Sequence, residues 1–333
     1  MVTKTTVVRE RHSVVLIVAA FAAVYLIWGS TYLAIRFAIE TIPPFLMAGS
    51  RFVAAGTILY WISRAMGADR PLRAEWRTAV LLGGMMFLGG NGGVVWAEQR
   101  VPSGLTALLI ATEPLWICLI DWVRPGGLRP NWRVAAGLLI GFAASALLVA
   151  PGKASGGVDP AGAAVLLIAT LSWACGSLFS RHATLPRSPL MAAGMQMVCG
   201  GLLLFIVGSA SGEWAGFRIS EVSARSLLAL CYLTSFGAIV AFTSYSWLLK
   251  VTTLAKASTY AYVNPVIAVI LGWALAGETL SLRTGFATVA IVVAVLMINS
   301  HPSPSHEQLT DHAPAFGGVN DEPSYAGCEA PHG

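Results

Sequence analysis

From residue 14 to residue 299 the chain is a succession of ten apolar runs. They lie near residues 14–35, 45–63, 78–99, 104–122, 133–150, 160–180, 190–210, 226–248, 255–276 and 282–299, with short polar segments between them. A helix crosses the ~30 Å hydrocarbon core of a bilayer in about 20 residues, the length of nearly every run. A backbone in lipid must satisfy its own hydrogen bonds, so such runs fold as helices. Short loops make consecutive helices antiparallel neighbours. The expectation is an all-α integral membrane protein of ten transmembrane helices. Composition excludes an ordinary soluble domain: charged residues make up 11% of the 333, against about 25% in soluble proteins, and mean hydropathy is +0.70.

The 21 Lys and Arg residues are scattered between the runs and not gathered in a patch, so the formal charge of +5 speaks to topology and not to nucleic acid. With the first residues inside, fourteen of the 21 fall in inner segments and six in outer ones, while Arg51 lies within the second run. That excess predicts a cytoplasmic N-terminus (residues 1–13) and a cytoplasmic tail. The first run lacks a small-residue cleavage site and is long enough to span, so it reads as a retained helix. Residues 300–333 are rich in Pro, His, Gly and acids with no Lys or Arg, a composition that predicts a disordered tail.

Catalytic chemistry finds little foothold. Cys118, Cys175, Cys199 and Cys231 lie inside apolar runs without CxxC spacing, Cys328 lies in the tail, and all six histidines fall in loops or termini. No disulfide, metal or cofactor is expected. No P-loop, GxSxG, HExxH or pair of intramembrane aspartates occurs. ATP-driven transport by this chain is thereby set aside, and an intramembrane enzyme remains a remote alternative.

The sequence also repeats itself. A shift of 145 residues places Trp28 on Trp173, Leu33 on Leu178, Arg36 on Arg181, Pro44 on Pro189, Gly49 on Gly194, Gly56 on Gly201 and Leu59 on Leu204. A shift of 151 places Trp96 on Trp247, Pro114 on Pro265, Trp122 on Trp273 and Gly126 on Gly277. Two units follow, residues 14–150 and 160–299, with five spans each. An odd number of spans inverts the second copy, and inverted repeats with a site at their midplane interface are a transporter arrangement.

Within this frame one stretch carries chemistry: Ser103 to Trp122, SGLTALLIATEPLWICLIDW. Glu113 lies ten residues in, about 15 Å deep at 1.5 Å per residue, half of a ~30 Å core. A carboxylate there costs roughly 2.5–3.5 kcal/mol, so it should face a cavity or a partner. It could take up and release a proton during transport, or hold a structural hydrogen bond. Pro114 cannot donate to the carbonyl of Ile110, which weakens the helix beside it. Tyr260-Ala-Tyr-Val-Asn264-Pro265 repeats the construction. Asn264 can bind substrate or satisfy the carbonyl that Pro265 frees, and Tyr260, one turn earlier on the same face, suits a cavity wall or packing.

Other candidates divide similarly. Asn91 sits in Gly89-Gly-Asn-Gly-Gly93, a cluster that lets a neighbouring helix approach closely, and packing is favoured over cavity lining. Arg51, about 10 Å into its span, is expected to snorkel to the outer surface in preference to pairing with Glu113 or an anionic substrate. Trp28, Trp96 and Trp116 lie inside spans, with Trp173 and Trp247, as a cavity wall or as packing; Trp61, Trp122 and Trp273 lie near ends and suit an interfacial belt. Glu98, Asp121 and Glu278 flank span ends and are expected to be solvated or paired at the surface.

The chain resembles the EamA-type transporters of the drug/metabolite transporter superfamily. The resemblance rests on Trp28-Gly-Ser-Thr-Tyr-Leu-Ala-Ile-Arg36, on Glu113-Pro114, and on Asn264-Pro265 with Gly277-Glu278; IPPFLMAGSRF (42–52) and GGNGGVVWAEQRVPSGLTALLIATEPLW (89–116) look like the YedA-like subgroup. It implies helices 4 and 9 beside a central cavity, a cytoplasmic N-terminus and export driven by a gradient. The functional expectation is a secondary active transporter of the inner membrane, exporting a small metabolite (an amino acid or drug-like compound) by alternating access with protons as coupling ion. A passive facilitator is the alternative. The partners expected are a small-molecule substrate, protons and the lipid bilayer, with a homodimer compatible and no nucleic acid.

Overall fold

A computed structural model describes residues 14–123, 132–149, 159–180, 183–252, 260–279 and 281–299, and every regular element among them is helical. The expectations placed on residues 1–13 and 300–333, and the matched positions Gly126 and Arg181, lie outside the described residues. Seven helices have the length and apolarity to cross a bilayer, and three shorter apolar helices bring the total among the described residues to ten. We number them α1 (Val14–Ala38), α2 (Pro44–Ala65), α3 (Arg73–Ala97), α4 (Ser103–Ile110 and Glu113–Val123), α5 (Trp132–Val149), α6 (Pro160–Ser180), α7 (Pro189–Ala210), α8 (residues 224–251), α9 (Tyr260–Ala276) and α10 (Leu282–Asn299). The protein is a multi-pass membrane protein. Outward side chains such as Leu139, Phe286 and Val289 are 74%, 70% and 63% exposed, which suits lipid and would not suit water.

Apolar lipid provides little drive for helices to associate, so the interior relies on close backbone approach by small residues. The contact of α2 with α7 shows this best. A Cβ added to Gly56 would lie 2.6 Å from the carbonyl oxygen of Gly194, and one added to Gly194 would lie 2.9 Å from that of Gly56. Gly49 and Gly201 face each other in the same way, at 3.1 and 3.0 Å. The repeat equates Gly49 with Gly194 and Gly56 with Gly201, so each glycine meets the equivalent of its own repeat mate's partner. Such reciprocal pairing is what a two-fold relation between halves produces.

The same exchange governs the rest of the bundle. α1 packs on α8 and α9, and α6 packs on α3 and α4, while α5 pairs with α10. The matched tryptophans sit at equivalent places: Trp28 Nε1 donates to the carbonyl of Gly237 on α8 at 3.1 Å, and Trp173 lies against Gly90 on α3. Both receiving segments are wound more widely than an α-helix, in the π manner, over Gly83–Gly92 in α3 and Leu233–Val240 in α8. Nothing in the apolar periodicity announces this widening. Glycine at 83, 89, 90 and 92 lets α6 and α7 press against α3 there.

At one end of the bundle carboxylates from the second half cap helices of the first. Glu213 accepts from the backbone N–H of Phe45 (3.1 Å) and Leu46 (2.9 Å) at the start of α2. Glu278 accepts from Ser103 N–H and Ser103 Oγ (both 2.7 Å) and from Gly104 N–H (3.0 Å) at the start of α4. Both helices begin at prolines, whose neighbours leave N–H groups without intrahelical partners, and a carboxylate is the strongest acceptor for them. The expectation that Glu278 is paired is met, with Arg36 Nε a further 4.0 Å from its Oε1.

Candidate functional site

α4 is interrupted at Ala111 and Thr112. Thr112 Oγ1 donates to the Leu109 carbonyl at 2.6 Å, and the second half starts with Leu115 N–H donating to Thr112 O at 2.9 Å. The cause is local. A residue before proline avoids the helical region, and Pro114 has no N–H for Ile110. Proline is well suited to the first turn of a new helix, so the chain restarts at Glu113. The break thus precedes the carboxylate and leaves Glu113 at a helix N-terminus, where the partial positive charge of free N–H groups favours an anion. Glu113 is half-buried and takes no hydrogen bond or ion pair from the described residues.

What faces it comes from other helices. Tyr32 of α1 and Tyr260 of α9 both lie within electrostatic reach of Glu113. Tyr260 hydrogen-bonds Tyr245 of α8. The Trp28 ring lies 5.1 Å from Tyr260, edge-on, and 5.2 Å from Tyr245, and the two tyrosine rings are 5.5 Å apart. An indole and two phenols therefore meet where α1, α8 and α9 pack together, with the Glu113 carboxyl of α4 and the phenol of Tyr32 within electrostatic reach. Chemically such a set can exchange a proton and contact an apolar or aromatic solute. Of the residues singled out from sequence, Glu113, Tyr260 and Trp28 are brought together. Tyr32 and Tyr245 escaped notice because a lone tyrosine in an apolar run carries no signal of which neighbour it will meet. Tyr32 is legible only as the middle of a Trp28, Tyr32, Arg36 series at helical spacing.

Asn264 lies beside this cluster and turns toward α1. With its amide oriented so that Nδ2 donates, it reaches the carbonyls of Tyr260 (3.3 Å) and Tyr25 (3.2 Å). It therefore does not serve the Ala261 carbonyl that Pro265 leaves free. α9 runs unbroken through Pro265. Gly29 of α1 makes room, since a Cβ there would lie 2.8 Å from Ile267 and 3.4 Å from Asn264 O.

Several expectations need correction. Arg51 does not snorkel: it is 6% exposed, its guanidinium 4.5 Å from the Phe52 ring centroid and close to Gly237 and Thr31. α8 packs over this part of α2, and Thr31 of α1 and the Arg51 guanidinium both lie beside Gly237 of α8. Its electrostatic partner is Glu98, and Glu113 is not among its partners. Glu98 itself, expected at the surface, is 1% exposed, and neither carboxylate oxygen has a hydrogen-bond partner among the described residues. Trp96 and Trp116 do not join the aromatic cluster. Trp96 lies under Arg100, whose Cζ is 4.4 Å from the ring, and Trp116 packs edge-on against Phe142 of α5 at 5.2 Å. Both rings are committed to these contacts instead. Asn91 donates to Met86 within its own widened helix at 3.4 Å, not across the glycine contact.

Comparison with known proteins agrees with this architecture. The description of the EamA-like transporter family matches residues 15–150 and again 160–300. The inner membrane transporter YedA of Escherichia coli K12 is 39% identical over 281 residues, covering 84% of this chain and 89% of that protein. The transporter YoaV of Bacillus subtilis is 25% identical over 284 residues, 83% and 94% of the two chains. A solved crystal structure with 21% identity matches at a TM-score of 0.60, covering 85% of this chain and 97% of that one, which speaks to the fold alone. Two family matches that together span nearly all of the helical chain, and a relative of this identity and coverage, place the chain in the EamA-like transporter family.

Proposed function

We propose that the protein is a secondary active transporter of the bacterial inner membrane that exports a small metabolite, an amino acid or drug-like compound, by alternating access, with Glu113 as the group that couples flux to protons. The observation that carries this reading is the broken α4: a carboxyl without a hydrogen bond or ion pair among the described residues, at the midplane by residue count, set at the restart of a helix and within electrostatic reach of Tyr32 and Tyr260. In such a place the carboxyl alternates between a neutral form and an ionised form. Substrate occupies the space beside it when the proton has left, and the two five-helix halves rock about the α2–α7 seam. The excess of Lys and Arg in alternate loops supports both termini on the cytoplasmic side. A reporter fused at Gly333 is expected to behave as cytoplasmic, and an external location would overturn the orientation.

The test uses a substrate first identified by comparing metabolites inside and outside cells with and without the protein. In reconstituted vesicles Glu113→Gln, which keeps shape but cannot titrate, should lose proton-driven accumulation by about 100-fold. Counterflow exchange should continue, because rocking with substrate bound needs no proton release. Glu113→Asp should retain part of the coupling. Accumulation by Glu113→Gln at the native rate would make this carboxyl structural, and exchange without accumulation in the native protein would make the protein a passive facilitator.

A further inference from the structure

Along α1, Trp28, Tyr32 and Arg36 recur every fourth residue and so form one stripe. From Trp28 to Arg36 the stripe rises about 12 Å, most of half a ~30 Å core. Its lower end touches the aromatic cluster beside Glu113. Its upper end meets Glu278 at the 4.0 Å contact with Arg36, at the end of the bundle where Glu278 caps α4. Glu98, at the end of α3, is almost wholly enclosed and takes no hydrogen bond from the described residues. Tyr32 is within electrostatic reach of both Glu98 and Glu113, while Glu98 is within reach of Arg36, Arg51 and Glu278. A buried charge without a partner costs several kcal/mol. Neither a cap nor an ion pair explains the carboxyl of Glu98, since the nearest caps use Glu213 and Glu278 and no cation lies within ion-pair distance of it among the described residues.

We propose that Glu98 and Tyr32 are a proton relay between Glu113 and the end of the bundle that carries residues 98–102. The relay rests on the reading of Glu113 as the coupling group and adds the side from which its proton arrives. A proton taken by Glu98 from water at the mouth passes to the Tyr32 oxygen as Tyr32 gives its own hydroxyl proton to Glu113. Glu98 is left ionised, Tyr32 is unchanged and Glu113 is neutral; water bridges the intervals that the side chains do not close. Arg51 from α2 and Arg36 from α1 hold the ionised form of Glu98 in place, and Glu278 opposes it. Burial first, and Glu278 second, hold the Glu98 carboxyl well above the usual carboxylate range, so it loads a proton readily, and the two arginines favour the ionised form it takes once that proton has moved on.

A carbodiimide that modifies neutral carboxyl groups in membranes tests this without a known substrate. Full-length protein in sealed vesicles is held at constant pH on one side while pH is stepped on the other, and modification of Glu113 is read by mass spectrometry of its own peptide. In the native protein the Glu113 rate should follow pH on the side carrying residues 98–102. Glu98→Gln and Tyr32→Phe should each slow that response about tenfold, and Glu98→Asp should restore much of it. Arg51→Met combined with Glu98→Gln relieves any stranded positive charge. If that pair restores the response, Glu98 serves only to balance Arg51 and the relay is wrong. A native response in both Glu98→Gln and Tyr32→Phe likewise overturns the relay while leaving Glu113 in its role. A Glu113 that responds to pH on neither side, in a protein whose Glu113→Gln variant still accumulates substrate, overturns the coupling reading itself.

Discussion

α4 and α9 occupy equivalent places in the two halves and carry the same construction, a polar residue followed by proline inside an apolar run, yet they use it differently. α4 breaks just before Glu113, and its carboxyl takes no hydrogen bond or ion pair from the described residues. α9 continues through Pro265, and Asn264 joins its own helix to α1 through the carbonyls of Tyr260 and Tyr25. The difference lies less in proline, which both have, than in what the neighbours offer. α1 lies against α9 closely enough, at Gly29, for the amide to be satisfied across the contact. Around Glu113 the neighbours present phenol hydroxyls and no fixed hydrogen bond. An inverted repeat thus supplies two copies of a weak point, with one spent on holding the halves together and the other left open to chemistry.

The comparison has a frame, and the largest expected effect comes from breaking it. Gly56→Leu or Gly194→Leu drives a side chain into the facing backbone carbonyl, and overpacking of this kind costs about 1–3 kcal/mol or more where backbone cannot yield. Either variant should fail to give a monodisperse species on size-exclusion chromatography. A folded, fully active Gly56→Leu would mean that the halves are not held at this seam.

Next is an exchange of the two polar residues. If the halves were functionally equivalent, Glu113→Asn combined with Asn264→Glu would keep proton-driven accumulation. We expect it to fall about as far as Glu113→Gln alone, near 100-fold, because a carboxyl at 264 meets the Tyr25 and Tyr260 carbonyls in place of hydroxyl donors. Native accumulation by the exchanged protein would erase the distinction drawn between α4 and α9.

The prolines should give the smallest and most telling effect. Proline inside a helix costs about 3 kcal/mol, so Pro114→Ala favours a continuous α4 and should slow transport severalfold by withdrawing Glu113 from its helix N-terminus. Pro265→Ala should leave transport within about twofold, since neighbouring helices already accommodate the proline. Equal responses at the two sites would show that the break in α4 has no part in function.

How much of this was legible in the sequence follows from the range of each interaction. Glu113, Tyr260 and Trp28 stand out because a polar or aromatic group in an apolar run is visible along the chain. The seam was half visible: the offset of 145 pairs Gly49 with Gly194 and Gly56 with Gly201 as equivalents, but their crossed contacts exist only once two helices pack antiparallel. Arg51 was misplaced because the depth of a residue along its helix says nothing about which helices close over it. Glu98 looked like a surface residue for the same reason, since it lies at the very end of its apolar run.

The sequence by itself determined the ten spans, the doubling of a five-helix unit and the presence of a carboxyl in the middle of the fourth apolar run. Those follow from hydrophobic run length, short loops and residue count, which are properties of neighbouring positions along the chain. Only the tertiary structure decided that α4 breaks before its glutamate, that α9 does not break, that α3 and α8 widen where a tryptophan of the other half rests, and that Tyr32 comes within electrostatic reach of two carboxyls. Each of these depends on groups far apart in sequence, such as Trp28 and Gly237 or Asn264 and Tyr25, and a polar group in lipid takes whichever partner the packed neighbours bring to it.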